Sequence, residues 1–168
     1  MIFGMTPYTF LHVAIGLVGI GSGLAVVFGL LNSKIYNGGT LCFLVMTIAT
    51  SVTGFGFPFR GFTPAIGTGI LSMIALTAAA TAFYVFRLAG SWRWIYVVGA
   101  VVALYFNVFV LIVQLFQKVA ALKALAPTQS EPPFLIAQVV TLIAFIAVAI
   151  VGIRKFHPLP GVRTFAVG

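Results

Sequence analysis

Two amide side chains interrupt a long apolar stretch, where they could bind a ligand or a neighbouring helix. Asn107 and Gln114 are seven residues apart and therefore share one face of a helix. In lipid, a buried amide costs a few kcal/mol unless it finds a hydrogen-bond partner. Continuing the same face by helical steps adds Tyr96, Ala103 and Lys118. This stripe must face protein, water or a ligand.

Further polar residues flank the apolar stretches and could belong to the same site. Glu131 is the single acid of the chain, and His12 lies one turn inside the first apolar run. The candidate ligand-binding or partner-binding residues are His12, Asn107, Gln114, Lys118, Glu131 and Gln138. Structural roles compete with this hypothesis. A lone histidine near a membrane interface is commonly hydrogen-bonded within the fold, and Glu131 could equally cap or pair locally.

The elements that position these residues are membrane-spanning helices. Of the 168 residues, 62% are apolar and 6% are charged, whereas charged residues make up about 25% of soluble proteins. The length accommodates five spans of about 20 residues with short connections. The sequence therefore predicts an all-α integral membrane helical bundle that forms a single domain over residues 1–168. The expected spans are about 9–31, 41–57, 64–86, 94–116 and 134–153.

Small and hydroxyl-bearing residues predict which helix faces meet. Span one contains a GxxxG motif at Gly19 and Gly23, and Gly21, Ala25 and Gly29 form a second small-residue row. Span two carries a polar row at Thr47, Thr50 or Ser51, and Gly54. Asn37, Gly38 and Gly39 give a turn signal before span two. Span four is expected to continue as a short interfacial helix through Ala126, and Pro132 and Pro133 to precede span five.

The cations predict the orientation in the membrane. With five spans, one side carries three Lys and Arg residues and the other carries six: Lys34, Arg87, Arg93, Arg154, Lys155 and Arg163. The positive-inside rule then places the C-terminus in the cytoplasm and the N-terminus outside. The net charge of +8 is expected to attract anionic lipid head groups, and no nucleic-acid partner is expected because the cations lie at the ends of apolar runs.

Several kinds of chemistry lack their residues. His12 and His157 fall on opposite sides of about 30 Å of hydrocarbon and cannot both ligate one haem. No acid lies within a span, which disfavours ion-coupled pumping. Cys42 has no cysteine partner, and CxxC, GxSxG, HExxH and P-loop motifs are absent. The expectation is a protein without enzymatic activity, catalytic residues, metal or cofactor, in which a bound lipid or quinone is possible.

Part of the chain resembles a family of small proteins. Asn107 to Gln114, Gln117-Lys118 and Leu125 to Phe134 are similar to segments of uncharacterised polytopic proteins of the bacterial inner membrane, and the resemblance extends from Thr9 to Arg154. It implies a multi-pass protein of the bacterial inner, or cytoplasmic, membrane. No activity is assigned to that group, so the resemblance supplies no catalytic residues.

Three functions remain open from the sequence. The leading hypothesis is a non-enzymatic accessory or stabilising subunit of a larger membrane complex, which follows from the missing catalytic motifs and the small-residue packing rows. The second is a binding or transfer protein for a lipophilic molecule, such as a quinone or lipid, held between the fourth and fifth spans near Asn107, Gln114 and Gln138. The third is a facilitator-type transporter or channel whose path follows the polar stripe.

Overall fold

The computed structural model describes residues 6–58 and 64–158, and all regular structure in these ranges is helical. The helices in chain order are α1 (Pro7–Leu31), α2 (Asn37–Phe55), α3 (Pro64–Ala80) with a π-helical turn (Thr81–Val85), α4 (Trp92–Lys118), α5 (Ala120–Leu125) and α6 (Pro132–Lys155). Five of them are long and apolar enough to cross a membrane. The predicted all-α membrane bundle with five spans is confirmed.

Helix α4 lies at the centre of the bundle. It packs against α1, α2, α3 and α6, while α1 also packs against α2 and α6, and α2 against α3. The core surrounds the first half of α4, where Val97 and Leu104 are almost completely buried together with Phe43 of α2 and Leu76 of α3. Two residues of the polar stripe on α4, Tyr96 and Asn107, face hydroxyl groups of α2.

Close helix approach depends on two glycines in particular. A Cβ atom at Gly23 would lie 2.7 Å from Leu104 Cδ1 and 2.8 Å from the Phe43 ring, and one at Gly99 would lie 2.8 Å from the Ala75 carbonyl oxygen. Gly23 belongs to the predicted GxxxG, which is confirmed as a contact surface between α1 and its neighbours. The second predicted row makes contact only at Gly29, which is buried against the Lys34 carbonyl and the Tyr36 ring, whereas Gly21 and Ala25 are exposed.

Most helix ends differ from the predicted spans by up to four residues, and three of these differences have a clear local reason. Helix α2 begins at Asn37 and not at 41, so the Asn-Gly-Gly sequence forms its first turn and not a loop. Helix α4 extends to Lys118, where Val119 leaves helical geometry with ψ 116° and separates α5 from it. Helix α6 already begins at Pro132, because the first helical positions need no backbone N–H donor.

The turn between α3 and α4 has left-handed backbone at two residues that are not glycine. Arg87 has φ 48° and Leu88 has φ 59°. The Leu88 N–H donates to the Ala82 carbonyl over 2.9 Å, and the Leu88 side chain is buried in the core. This hydrogen bond and the buried leucine stabilise a helix end that glycine usually forms.

The bundle has two ends, which we name by one residue each. The Glu131 end comprises the starts of α1, α3 and α6 and the last turns of α2 and α4. The Arg93 end comprises the opposite termini, where the Ser33 hydroxyl donates to the Lys155 carbonyl and joins α1 to α6. Phe156, which follows α6, is 0% exposed at this end.

Candidate functional site

His12 forms a small polar and aromatic cluster at the Glu131 end. Its Nδ1 lies 2.8 Å from Thr53 Oγ1 on α2, and its ring packs edge-on against Phe57 with the ring centroids 5.1 Å apart. Tyr8 joins the cluster because its hydroxyl donates to the Thr53 carbonyl over 2.5 Å. His12 therefore ties α1 to the end of α2.

The hydrogen bonds of Thr53 favour one tautomer of His12. The Thr53 hydroxyl donates to the Ala49 carbonyl over 2.7 Å, so its oxygen accepts and the His12 Nδ1 donates. The second ring nitrogen, Nε2, is then left as an acceptor. This half-buried ring could receive a hydrogen bond from a ligand at the membrane surface, or could serve only to join the two helices.

Asn107 lies in a polar seam between α4 and α2. Its Nδ2 donates to Thr47 Oγ1 over 3.2 Å, and Gly19 of α1 lies against both groups. Further along the seam, Thr40 Oγ1 and the Tyr96 hydroxyl are 3.0 Å apart. Thr40, Thr47 and Tyr96 are at most 2% exposed. The seam is a set of paired polar groups that connect three helices.

Glutamine side chains contact the backbone of the second half of α4. Gln138 of α6 donates from Nε2 to the Phe109 carbonyl over 3.3 Å, and Gln129 donates to the Val113 carbonyl over 2.9 Å. These two carbonyls are four residues apart and lie on one face of α4. Gln138 is 8% exposed, and its Oε1 has no hydrogen-bond partner among the described residues.

Glu131 organises the loop that precedes α6. Its carboxylate accepts from the Thr128 N–H over 3.1 Å, from the Thr128 hydroxyl over 2.9 Å and from the Ser130 N–H over 3.0 Å. Desolvation acts to raise the pKa of Glu131, but hydrogen bonds from the N–H groups of Thr128, Glu131 and Ser130 and from the Thr128 hydroxyl together lower the pKa below its ordinary value of 4.5. These contacts agree with the local capping role that the sequence analysis allowed for Glu131.

The six candidate residues are thus distributed over several contacts. His12 and Asn107 bind different threonines of α2, Gln138 binds the backbone of α4, and Glu131 binds its own loop. Gln114 is half-buried and Lys118 is exposed in the last turns of α4. Lys118 in the last turn of α4 and His12 near the start of α1 both lie at the Glu131 end. A shared site formed by these residues stays a prediction.

Sequence reasoning missed Thr53, which is the partner of both Tyr8 and His12. Thr53 follows Thr50 by three residues and therefore extends the polar row of α2 by almost one turn. That spacing was a usable signal. The predicted row itself is confirmed in part, since Thr47 bonds Asn107 whereas Thr50 donates to the Met46 carbonyl of its own helix over 2.8 Å.

Comparisons with known proteins do not add to this description. Family models, curated proteins and solved structures gave no match to the chain. Among residues 6–58 and 64–158, no three His, Cys, Asp or Glu side chains are grouped so that they could hold a metal ion. The function must therefore be inferred from the described contacts and surfaces.

The structure also contains an apolar groove that the sequence did not predict. It has a volume of about 620 Å³ and runs along one side of α3, within the 300–1,000 Å³ range of ligand sites. Phe55 of α2 and Trp92 of α4 line it together with residues of α3 and its π-helical turn: Ile70, Met73, Ile74, Thr77, Ala78 and Thr81. The groove lies mainly on α3, whereas the sequence predicted a site for a lipophilic molecule between α4 and α6.

Proposed function

We propose that this chain is a non-enzymatic accessory or stabilising subunit of a larger membrane complex, and that α6 is its docking helix. The supporting observation is the difference between α6 and the other spans. Only 6% of the most apolar part of α6 is buried, against 28–39% in the other four. The buried residues of α6 are Gln138 and Gly152. Most of this helix is thus open to lipid or to another subunit.

The position of α6 is nevertheless fixed at both ends. Gln138 bonds the α4 backbone near the Glu131 end, and Phe116 packs edge-on against Phe134 with centroids 5.4 Å apart. At the Arg93 end the Ser33 hydroxyl also accepts the His157 N–H over 3.1 Å. A helix held in this way presents its outer face in a defined orientation, which favours specific contact with a partner.

The chemistry of the outer face supports a helix partner more than general contact with lipid. Its exposed large residues are mostly β-branched: Leu135, Ile136, Val139, Val140, Leu142, Ile143, Ile146, Ile150 and Val151. Valine and isoleucine have one preferred χ1 rotamer in a helix, so packing them against a partner loses little side-chain entropy. The exposed Ala144 and Ala147 lie between them and allow a second backbone to approach.

The localisation proposed with this function is the bacterial inner membrane, with the N-terminus outside and the C-terminus cytoplasmic. The distribution of cations supports this orientation. At the Arg93 end the described cations are Lys34, Arg87, Arg93, Arg154 and Lys155, and at the Glu131 end they are Lys118 and Lys123. The Arg93 end would then face the cytoplasm.

The decisive experiment introduces a bulky side chain on the outer face of α6, which is the proposed docking face. We expect native mass spectrometry of protein released from membranes into mild detergent to show the chain bound to a partner of defined mass. Ala144→Trp should weaken partner binding by about five- to 150-fold, because overpacking of an interface costs roughly 1–3 kcal/mol. Ala25→Trp is the matched control, since Ala25 is an exposed alanine on α1. Wild-type protein that carries lipid alone, or equal effects of both variants, would contradict the proposal.

A second candidate function is the binding or transfer of a lipophilic molecule, such as a quinone or lipid, between α4 and α6. The buried and unpaired Oε1 of Gln138 favours it, because such an acceptor gains stability from a donor on an occupant, for instance a quinol hydroxyl. Extraction of purified protein should then yield a stoichiometric lipophile that is lost in Gln138→Leu. A transport path along the α2–α4 seam has less support, because Thr40, Thr47 and Tyr96 fill that seam.

A further inference from the structure

The groove along α3 has the dimensions of a site for one lipid chain. Its floor runs from Ile70 to Thr81, and the eleven helical steps between these two residues extend about 16 Å. This length is close to half of the roughly 30 Å hydrocarbon thickness of a bilayer. Ile70 and Ile74 of the groove are exposed on the outside of the bundle, so a lipid chain could enter from the side.

The groove is chemically suited to hydrocarbon. Six of its eight lining residues are apolar, and the Thr77 hydroxyl donates to the Met73 carbonyl of its own helix over 2.8 Å. This hydroxyl therefore needs no donor or acceptor from an occupant. Phe55 closes one end of the groove, and its ring is also in contact with Gly69.

Two arginines are chain neighbours of the aromatic pair at the other end of the groove. Trp92 closes this end and stacks on Phe86, with the ring centroids 3.7 Å apart and the planes within 4°. Arg87 follows Phe86, and Arg93 follows Trp92. Within residues 6–58 and 64–158, neither guanidinium donates a hydrogen bond or forms an ion pair, although Arg93 is half-buried.

No acidic side chain among the described residues lies near these arginines. Glu131, the single acid of the sequence, lies at the other end of the bundle. Arginine matches the geometry of phosphate because its planar group donates two parallel hydrogen bonds. We propose that an anionic phospholipid binds here, with one acyl chain along the α3 groove and its phosphate group between Arg87 and Arg93. This site is separate from the docking face of α6.

Lipid selectivity tests the charged part of the proposal. Delipidated protein in mild detergent should bind phosphatidylglycerol more tightly than phosphatidylcholine with the same acyl chains, as measured by native mass spectrometry titration. Each cation near an anionic lipid contributes about fivefold in affinity. The double variant Arg87→Gln, Arg93→Gln should therefore weaken phosphatidylglycerol binding by about 25-fold. It should weaken phosphatidylcholine binding by less, because the choline cation already offsets the charge of that phosphate. The control variant Lys123→Gln removes an exposed cation at the Glu131 end and should change neither affinity.

Cross-linking tests the apolar part. Phosphatidylglycerol with a photoreactive group in its acyl chain should label the α3 segment 70–81 in preference to α6. Ala78→Phe places bulk on the floor of the groove and should abolish that labelling, whereas Ala25→Phe, on an exposed face of α1, should leave it intact. The arginine variant provides the test should Ala78→Phe fail to fold. Equal binding of the two lipids, equal labelling of α3 and α6, or an unchanged affinity of the arginine variant would each overturn the proposal.

Discussion

Asn107 on α4 donates a hydrogen bond to Thr47 on α2 over 3.2 Å. Gly19 of α1 lies against both groups, since a Cβ atom there would be 3.3 Å from Thr47 Oγ1 and 3.6 Å from Asn107 Nδ2. Three helices thus meet at one polar pair in the middle of the bundle. Such pairs replace the hydrophobic driving force that lipid removes from helix association.

This pair predicts a measurable coupling energy. Thr47→Val keeps the shape of the side chain but removes the acceptor of Asn107, and we expect a loss of stability of about 1 kcal/mol. A double-mutant cycle with Asn107→Leu should give a coupling of about 0.6 kcal/mol, with about 1.7 kcal/mol as the upper end for membrane proteins. Unfolding by SDS in mixed micelles measures both. Thr50→Val is the control, because Thr50 bonds its own helix, and an equal loss there would refute the assignment.

Gly99 should tolerate no side chain. A Cβ atom at this position would lie 2.8 Å from the Ala75 carbonyl oxygen and 3.1 Å from the Ala79 Cβ, so α3 and α4 would have to separate. We expect Gly99→Ala to destabilise the bundle by about 1–3 kcal/mol. Gly21→Ala is the control, because it is the same substitution in a transmembrane helix. The added Cβ atom there has no neighbouring side chain within 4 Å, so the free energy of unfolding should stay the same or rise slightly. The same unfolding assay compares them. Similar values for the two variants would argue against close packing at Gly99.

Gln138 should be replaceable by an apolar residue of similar size if it has no ligand. Its Oε1 is buried without a partner among the described residues, and such a group costs about 1–3 kcal/mol. Gln138→Leu should therefore leave the thermal midpoint of ligand-free protein unchanged or higher. Gln138→Glu should lower the midpoint, because a charge at this depth is costly. A clear destabilisation by leucine would show that the bond to the Phe109 carbonyl outweighs the unpaired oxygen.

Acid should loosen the loop before α6. The folded-state pKa of Glu131 lies below its ordinary value of 4.5, so its contribution to stability is fully present above that pH and is lost as the pH falls through the folded-state pKa. Hydrogen exchange at the Thr128 and Ser130 amides should accelerate, relative to the intrinsic rates, over this acidic range. Glu131→Gln should remove the dependence while the helices keep their protection. Exchange that is equally pH-dependent in the variant would exclude Glu131 as the cause.

Reporter fusions test the proposed orientation. With five spans the two termini lie on opposite sides of the membrane, and the loop at Ser130 lies on the side of the N-terminus. We expect a reporter fused after Gly168 to be active in the cytoplasm and one inserted at Ser130 to be active outside. Neutralising Arg154 and Lys155 should weaken this preference. Activity of the C-terminal reporter outside the cytoplasm would reverse the assignment.

The sequence by itself determined the class of fold and the number of spans. Apolar length is a local property, and 18 or more apolar residues satisfy their backbone hydrogen bonds in lipid by forming one helix. The same local reasoning found the contact at Gly23, because small residues in a row leave room for another backbone. It placed the start of α2 four residues late, since Asn37-Gly38-Gly39 is compatible with a turn and with the first turn of a helix.

Only the tertiary structure decided which polar groups meet. The stripe on α4 predicted that Asn107 needs a partner, but the rotation and depth of α2 selected Thr47, and those of α6 brought Gln138 to the Phe109 carbonyl. The α3 groove likewise arises from three helices that are separate in the sequence. In lipid the apolar faces of a helix are nearly equivalent, so hydropathy does not determine its rotation. The rotation of each helix is determined by close contacts at a few small residues and by a few paired polar groups. These contacts form only when all the helices of the bundle are in place.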